Sequence, residues 1–370
     1  MVSSENLLMI FLGLELLSIP LYVLAGFTRH RVRAIESSLK YFLLGAFSTG
    51  FMLYGIAFTY GATGSLDLRS ISRALAGGSA SHATFALGIG LILVGFCFKL
   101  AAVPFHSWVP DVYQGAPGPV VALMAAGTKA AALAALMRVV YTALPRLSHS
   151  AAGALDWHSV LMILAVLSMT VGNLIAIAQK NIKRMLAYSS IAHVGYLLIA
   201  VASPVESGVQ AIAFYLVSYT LMTMGAFVVA TIVGRSGGEG EEGYTLASYR
   251  GLGLRRPLLA IAMTVFLLSL TGIPPTGGFV AKLYIFRAAL GGKMYLLAAI
   301  GVVNSAIAAY YYLGPVVAMW MQPVGEGTSP ALAHRAASSS LAISLFGTLL
   351  LGIYPAPLLE IARDLYISLI

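Results

Sequence analysis

Apolar runs of about 18 residues or more, parted by short polar segments, repeat along the whole chain. A run of that length spans the hydrocarbon core of a bilayer as one helix. The pattern predicts about ten membrane spans: 5–26, 38–60, 83–109, 118–143, 156–179, 183–203, 207–233, 257–289, 294–321 and 337–354. The expected fold class is an all-α polytopic membrane bundle. The stretch 355–370 breaks the pattern. There Leu358, Leu359, Ile361 and Leu365 alternate with Glu360, Arg363 and Asp364, which suits an amphipathic helix on the membrane surface or against a partner.

Two of the spans are interrupted. The third meets Pro104, and the eighth carries Leu270-Thr271-Gly272-Ile273-Pro274-Pro275-Thr276-Gly277-Gly278 within an otherwise apolar run. A proline frees the carbonyl four residues earlier, here that of Leu100 in one span and those of Leu270 and Thr271 in the other. Non-helical backbone at membrane depth survives only where protein buries it or a wet cavity takes it up. The two breaks are five helices apart, so their helices cross in opposite directions. Broken helices in matching positions of two halves are the pattern of an inverted repeat with a pathway near the midplane.

Composition sharpens this picture. Of 370 residues, 59% are hydrophobic and only 9% charged, far from soluble globular usage. The formal net charge of +9 reads as basic loops on one side of the membrane, since no run of like charge is long enough for a nucleic-acid arm. One side holds Arg29, Arg31, Arg33, Lys180, Lys183, Arg184, Arg235, Arg250, Arg255, Arg256 and Arg335. The opposite loops hold Arg69, Arg73, Arg146 and Lys293, with Arg138, Arg287 and Arg363 near that edge. The richer side is therefore cytoplasmic or its equivalent, and both chain ends face away from it. The polar loop from Arg235 to Arg256, rich in glycine and mixed in charge, is expected to be flexible. Met1 to Phe27 lacks the pattern of a cleaved signal peptide and reads as a span. The lone Cys97 excludes a disulfide framework or an iron–sulfur centre within this chain.

A few ionisable residues carry the candidate chemistry. Of 13 carboxylates, only Glu15 falls near the centre of a span. Lys99, Lys129 and Lys282 join it at membrane depth, where each lysine costs roughly 2.5–3.5 kcal/mol on insertion scales. His193 lies among Ser189, Ser190 and Tyr196, and Lys40 opens the second span, where it either reaches inward or snorkels. Blander roles stand beside these. Glu15 could pair with a lysine to hold helices together, Lys282 could snorkel, and His193 could be a satisfied hydrogen-bond bridge. His106 and Asp111 read as shaping the turn after the broken helix, and Tyr310-Tyr311-Tyr312 as packing and interface anchoring.

Two lysines flanking one break exceed what a single structural ion pair needs. A buried amine that gains and loses a carboxylate neighbour swings in proton affinity. A swing of two to three pKa units supplies about 2.7–4 kcal/mol. Moving one proton against ~150 mV costs about 3.5 kcal/mol. The magnitudes match a relay in which Glu15 sets the affinity of Lys99, and Lys99 exchanges protons through water and His193 with Lys129 and Lys282. No GxGxxG after a strand, GxxxxGK[ST], HExxH or CxxC occurs, so this chain alone is expected to hold no nucleotide, flavin or metal.

Six segments together resemble a known family: GLELLSIPLYVL with Glu15, YFLLGAFSTGFMLYG after Lys40, GFCFKLAAVPFHSWVPDVYQGAP with Lys99, AAGTK with Lys129, KNIKRMLAYSSIAHVGYLL with His193 and LSLTGIPPTGGFVAKLYIF with Lys282. They are similar to the antiporter-like subunit N family of NADH–quinone oxidoreductase, respiratory complex I, and more distantly to subunits L and M and to multisubunit sodium/proton antiporters. The resemblance covers nearly the whole chain. It implies a proton-pumping subunit without redox chemistry of its own, in a bacterial inner membrane or equivalent energy-coupling membrane. Partners would be other membrane and peripheral subunits of that complex, which carry NADH, FMN, iron–sulfur clusters and quinone. The family's glutamate falls on Glu15, its lysines on Lys99, Lys129, Lys282 and Lys40. The resemblance also implies two inverted five-helix repeats, here 1–143 and 156–321, with 337–370 as a closing helix and tail. Family members usually carry helices before the glutamate-bearing one, so the first repeat is expected to be incomplete. Two other classes remain open at this stage: a cation/proton antiporter component, which would want more carboxylate ligands, and a non-transporting scaffold, which would not need buried lysines.

Overall fold

A computed structural model describes residues 1–78, 81–144, 157–236, 242–324 and 335–369, and these are helical with short connections. The first helix, α1 (Leu7–Ala25), starts where the Asn6 side chain accepts from the Leu8 and Met9 amides, a cap for two otherwise unpaired donors. It is followed by the long α2 (Val32–Thr63) and the short α3 (Leu68–Ala76), whose N-cap is Asp67. A backbone bridge from Asn6 to Asp67 ties these two caps together. Then come α4 (His82–Leu100), α5 (Trp108–Gly115), α6 (Gly118–Ala143), α7 (Trp157–Ile177), α8 (Ile182–Ala202) and α9 (Val205–Ser236). The second half adds α10 (Leu252–Arg255), α11 (Pro257–Thr271), α12 (Gly277–Gly291), α13 (Tyr295–Met321), α14 (Arg335–Ile353) and α15 (Ala356–Leu369).

Among the described residues, 9 helices are long and apolar enough to cross a membrane. The remaining expected span, the eighth at 257–289, exists as two halves, α11 and α12. The third span is shorter than the sequence suggests: its helix ends at Leu100 instead of running to 109, and α5 resumes after seven non-helical residues.

The two breaks share one design. After α4 the chain turns left-handed at Ala101 (φ 66°), with the Ala101 amide bonded to Phe98 O and the Ala102 amide to Cys97 O. After α11 it turns left-handed at Gly272 (φ 90°), with the Gly272 and Ile273 amides both reaching Leu268 O. These are helix-terminating bonds that satisfy the last carbonyls. Each left-handed residue is followed by a cis proline bond at the same spacing, Val103–Pro104 and Pro274–Pro275. Borrowed hydroxyls complete both turns: Ser168 on α7 accepts from the Val103 amide (3.0 Å) and Ser269 accepts from Gly278 (3.1 Å). Gly278 is required sterically, because a Cβ there would lie 1.8 Å from Ser269 O. The half-helices can therefore abut.

At the centre stands α8, buried at every position from Ser189 to Ala202 and packed against α5, α7, α9, α12 and α13. Large apolar side chains such as Leu16, Phe47, Tyr54 and Phe346 line the outside of α1, α2 and α14. That exterior suits hydrocarbon rather than water. The charge asymmetry has a structural counterpart. Lys40, Asp111, Lys183 and Arg184 meet at one end, while Glu5 with Arg69 and Arg138 meet at the other. Arg146 lies outside the described residues.

One expectation needs correction, and that for the tail is made more specific. The described part of the Arg235–Arg256 loop, residues 242–255, is not free coil. It forms two turns of 3-10 helix and α10, buries Tyr249 and Leu252, and anchors to α8 through an Asn181–Thr245 bridge and to α13 through Gly251 N to Ala318 O. Apolar residues hidden between glycines were enough to fold it. The tail forms α15, which packs on α9 with Ala362 buried; Leu365 is outside the residues whose side chains are described.

Candidate functional site

Among the described residues, four lysines and one histidine lie nearly solvent-free: Lys99, Lys129, Lys282 and His193 within the bundle, and Lys183 at its basic end. Each makes specific polar contacts. The Lys99 ammonium, at the end of α4 beside the first break, donates to Ser18 Oγ (2.7 Å) and Tyr41 Oη (3.1 Å). Glu15, one helical turn before Ser18 on α1, acts on Lys99 electrostatically, but its Oε1 is buried with no hydrogen-bond partner. The pair is thus close without being locked. A buried carboxyl oxygen left without a partner is costly, and such groups mark sites of function.

On α6, Lys129 donates to Ser190 O (2.9 Å) and Ser190 Oγ (2.5 Å), and Tyr219 Oη on α9 donates to the same hydroxyl (3.0 Å). One turn along α8 from Ser190, His193 holds Tyr215 Oη at Nδ1 (2.5 Å) and Tyr312 Oη at Nε2 (3.1 Å). Tyr312 in turn contacts Ser189 Oγ. Both Lys129 and Lys282 lie close enough to His193 to act on it electrostatically. Lys282 belongs to the second break. Its ammonium donates to Thr271 O (2.8 Å), one of the carbonyls the prolines were expected to free, and to Ser305 Oγ on α13 (2.9 Å). It also lies over the ring of Tyr196 (4.8 Å to the centroid), one turn beyond His193.

The order across the bundle is therefore Glu15 and Lys99, then Lys129, His193 and Lys282, with hydroxyls between the last three. Tyr113 on α5 links the two groups: its buried hydroxyl lies near Ser190 and Tyr219, and its ring meets Trp108, which stacks on Tyr41. Such an array can hold protons at several amines and pass them along short hydroxyl bridges.

Lys40 stands apart. It is 42% exposed and pairs with Glu36 (2.5 Å) and Asp111 (2.9 Å), the snorkelling alternative rather than the inward one. Asp111 also pairs with Arg184 (2.7 Å), beside a polar recess of about 260 Å³ between α2, α5 and α8. His106 lies in the turn after the first break, as expected. The tyrosine run splits: Tyr310 is exposed, whereas Tyr312 joins His193 and Tyr311 donates to Asn173 Oδ1 (3.0 Å). Tyr310 keeps the anchoring position expected of it, while Tyr311 and Tyr312 add hydrogen bonds to packing, because three consecutive residues on a helix point in three directions.

Sequence reasoning missed Ser18, Tyr41, Tyr215, Tyr219 and Ser305, the partners of the charged groups. Spacing offered a signal for some. Ser18 follows Glu15 by three residues, and Tyr215 and Tyr219 are four apart, so each pair shares a helix face. It also missed Lys183, which is buried and donates to Gln114 O (3.3 Å) and Ala116 O (3.0 Å) at the end of α5, under the ring of Tyr244 (4.4 Å).

Comparison with known proteins places this arrangement. The family described as "NADH:quinone oxidoreductase/Mrp antiporter, TM" matches residues 4–308. The chain is 49% identical over 365 residues to NADH-quinone oxidoreductase subunit N of Trichlorobacter lovleyi, covering 98% of this chain and 73% of that protein. It is 46% identical to the protein of the same name from Mycobacterium bovis, covering 97% of this chain and 67% of the relative. Among solved structures it is similar to a chain of respiratory complex I from Thermus thermophilus with bound aureothin, at 41% identity and TM-score 0.81, covering 97% of this chain and 76% of that one. A chain of the archaeal membrane-bound sulfane sulfur reductase matches at 27% identity and TM-score 0.86, covering 99% and 72%. A chain of the Mrp complex from Dietzia, at 23% identity and TM-score 0.86 over 99% and 74%, shares the fold. With the matched family spanning most of its length and relatives near half identical, this chain belongs to the transmembrane NADH:quinone oxidoreductase/Mrp antiporter family.

Proposed function

We propose that this chain is a proton-translocating membrane subunit of a bacterial NADH–quinone oxidoreductase, without redox chemistry of its own. Protons move through Glu15, Lys99, Lys129, His193 and Lys282, driven by quinone reduction in other subunits of the complex. The observation that carries this reading is the placement of Lys99 and Lys282 at two matching helix breaks, with Lys129 and His193 between them. Broken helices let an ammonium bind backbone that an intact helix keeps for itself, and Lys282 uses the Thr271 carbonyl in this way. Two inverted repeats, 1–143 and 156–321, with 337–370 outside them, fit the shared form of the breaks. NADH, FMN, iron–sulfur clusters and quinone belong to partner subunits in this reading, and Lys40 serves at the surface rather than in the row.

Transfer from Lys99 begins with its own partners. When Glu15 carries its charge nearby, the Lys99 ammonium is favoured; when that charge is neutralised, Lys99 gives its proton up more readily. Hydroxyls at Ser190, Tyr219 and Tyr312 can donate and accept at once, which lets a proton enter one side of each group as another leaves.

Two measurements test the proposal. The chain, tagged and purified from its own membranes, should bring with it flavin- and iron–sulfur-containing subunits that oxidise NADH. In the same complex, Glu15→Gln should suppress NADH-driven acidification of vesicles and the coupled quinone reduction while assembly persists. Isolation with antiporter subunits alone, free of flavin and iron–sulfur proteins, would instead assign the chain to a cation/proton antiporter. Wild-type pumping by the assembled Glu15→Gln complex would remove the glutamate from the path.

A further inference from the structure

Asp111 lies outside the buried row, yet the short helix that carries it touches that row. Its Oδ1 accepts from Arg184 Nη1 of α8 (2.7 Å) and its Oδ2 from Lys40 Nζ of α2 (2.9 Å). Its backbone carbonyl accepts from Ser37 of α2 (3.0 Å), and Arg184 also donates to Gln114 (2.9 Å). Lys183 holds the carbonyls at the end of the same helix. One carboxylate therefore joins three helices at the basic end of the bundle.

The other end of α5 reaches the proton-bearing groups. Trp108, one turn before Asp111, donates from Nε1 to Phe98 O at the first break (3.1 Å). Its ring stacks on Tyr41 with centroids 4.6 Å apart and planes 14° apart, and on Phe98 at 5.3 Å. Tyr41 is the residue whose hydroxyl accepts from Lys99. The connection from Arg184 to Lys99 thus runs through Asp111, one rigid helical turn, Trp108 and Tyr41, with every step a direct contact or a turn of helix.

We propose that Asp111 is a positioning residue of the proton path: its bridge between Lys40 and Arg184 sets the seat of α5 and, through Trp108 and Tyr41, the position of the Lys99 ammonium. The claim rests on the functional reading above. Partly exposed ion pairs add little to stability. A displacement of ~1 Å at a reacting group, by contrast, can cost ~100-fold in rate. The bridge therefore acts on geometry far more than on folding. Lys40, set aside from the buried row, gains its role here.

A double-mutant cycle in the assembled complex tests this, reading NADH-driven quinone reduction and pumping per assembled complex. Asp111→Asn keeps the shape and removes the charge. It should slow turnover by about 2–30-fold, the range of coupling measured along packed networks. Asp111→Glu should recover most of that loss. Tyr41→Phe removes one of the two Lys99 acceptors, and combined with Asp111→Asn it should be no slower than the slower single variant. Tyr312→Phe, on the far side of the row, should multiply with Asp111→Asn instead. Wild-type turnover for Asp111→Asn, or losses of Asp111→Asn and Tyr41→Phe that simply multiply, would overturn the proposal. If Asp111→Asn does not assemble, Lys40→Met leaves the Arg184 pair in place and faces the same two criteria. Should Glu15→Gln abolish pumping while the cycle shows independence, only the positioning role fails. Normal pumping by Glu15→Gln removes the underlying path.

Discussion

Lys129 separates a proton carrier from a fixed charge, and three substitutions suffice to tell them apart. Its side chain is fully buried and bonds Ser190 O at 2.9 Å and Ser190 Oγ at 2.5 Å. Lys129→Met removes both bonds, each worth ~1.5–3 kcal/mol when the donor is charged. It also removes the need to keep an ammonium out of water, which costs several kcal/mol. The Ser190 hydroxyl keeps Tyr219 as a donor at 3.0 Å, so no new buried polar atom is stranded. The two effects nearly cancel, and the complex should assemble. Lys129→Arg keeps the charge and the donors but holds its proton too tightly to release it. From reference values, losing a proton at pH 7 costs about 7.5 kcal/mol for arginine against about 4.6 kcal/mol for lysine, a ~100-fold penalty before any effect of the site. Both variants should therefore pump at least ~100-fold more slowly if Lys129 carries protons. Vesicle acidification and quinone reduction, each divided by the amount of assembled complex, give the answer. Arginine with near wild-type pumping would show a fixed charge, and methionine with near wild-type pumping would show a packing residue; either result refutes the relay.

Other expectations follow from the same geometry. Gly272→Ala forces a side chain into the left-handed region, at ~1–2 kcal/mol, and sets its Cβ 2.9 Å from Lys282 Cδ; turnover should fall with assembly only mildly reduced, and unchanged turnover would show that Lys282 need not stay on Thr271. Tyr312→Phe takes the hydroxyl from His193 Nε2 and should reduce pumping, though less than Lys129→Met, because Tyr215 still holds Nδ1; equal losses would show that the Tyr215 contact cannot stand in for the Tyr312 hydroxyl. The Asp111 carboxyl is pushed up by burial, but hydrogen bonds from Arg184 and Lys40 outweigh this and hold it below the ordinary carboxylate value. Its bridge is therefore fully present above the unfolded value of about 3.9 and is lost only as pH falls through the lower folded one. The turnover ratio of Asp111→Asn to wild type should accordingly stay flat between about pH 5.5 and 8; a ratio that changes steadily across that window would contradict the assignment.

The spans and their breaks were legible in the sequence because both are local. An apolar run of about 20 residues has few alternatives to a membrane helix, and Pro104 and Pro274-Pro275 interrupt hydrogen bonding wherever they stand. The four ionisable groups were legible for a related reason, since a charge inside such a run demands an explanation. Which groups meet was not. Lys40, at the start of its span, left reaching inward and snorkelling both open, and only the folded bundle pairs it with Asp111 at the surface while Lys99 binds Ser18 and Tyr41 inside. The length and composition of the segments determined that this chain crosses a membrane and where its helices fail. Packing alone decided that Lys282 caps a freed carbonyl, that Tyr312 answers His193 across 119 residues of chain, and that Asp111 bridges two helices. Polar partners at membrane depth come from distant helices, and only the folded bundle, where an unsatisfied polar group is costly, selects which of them come together.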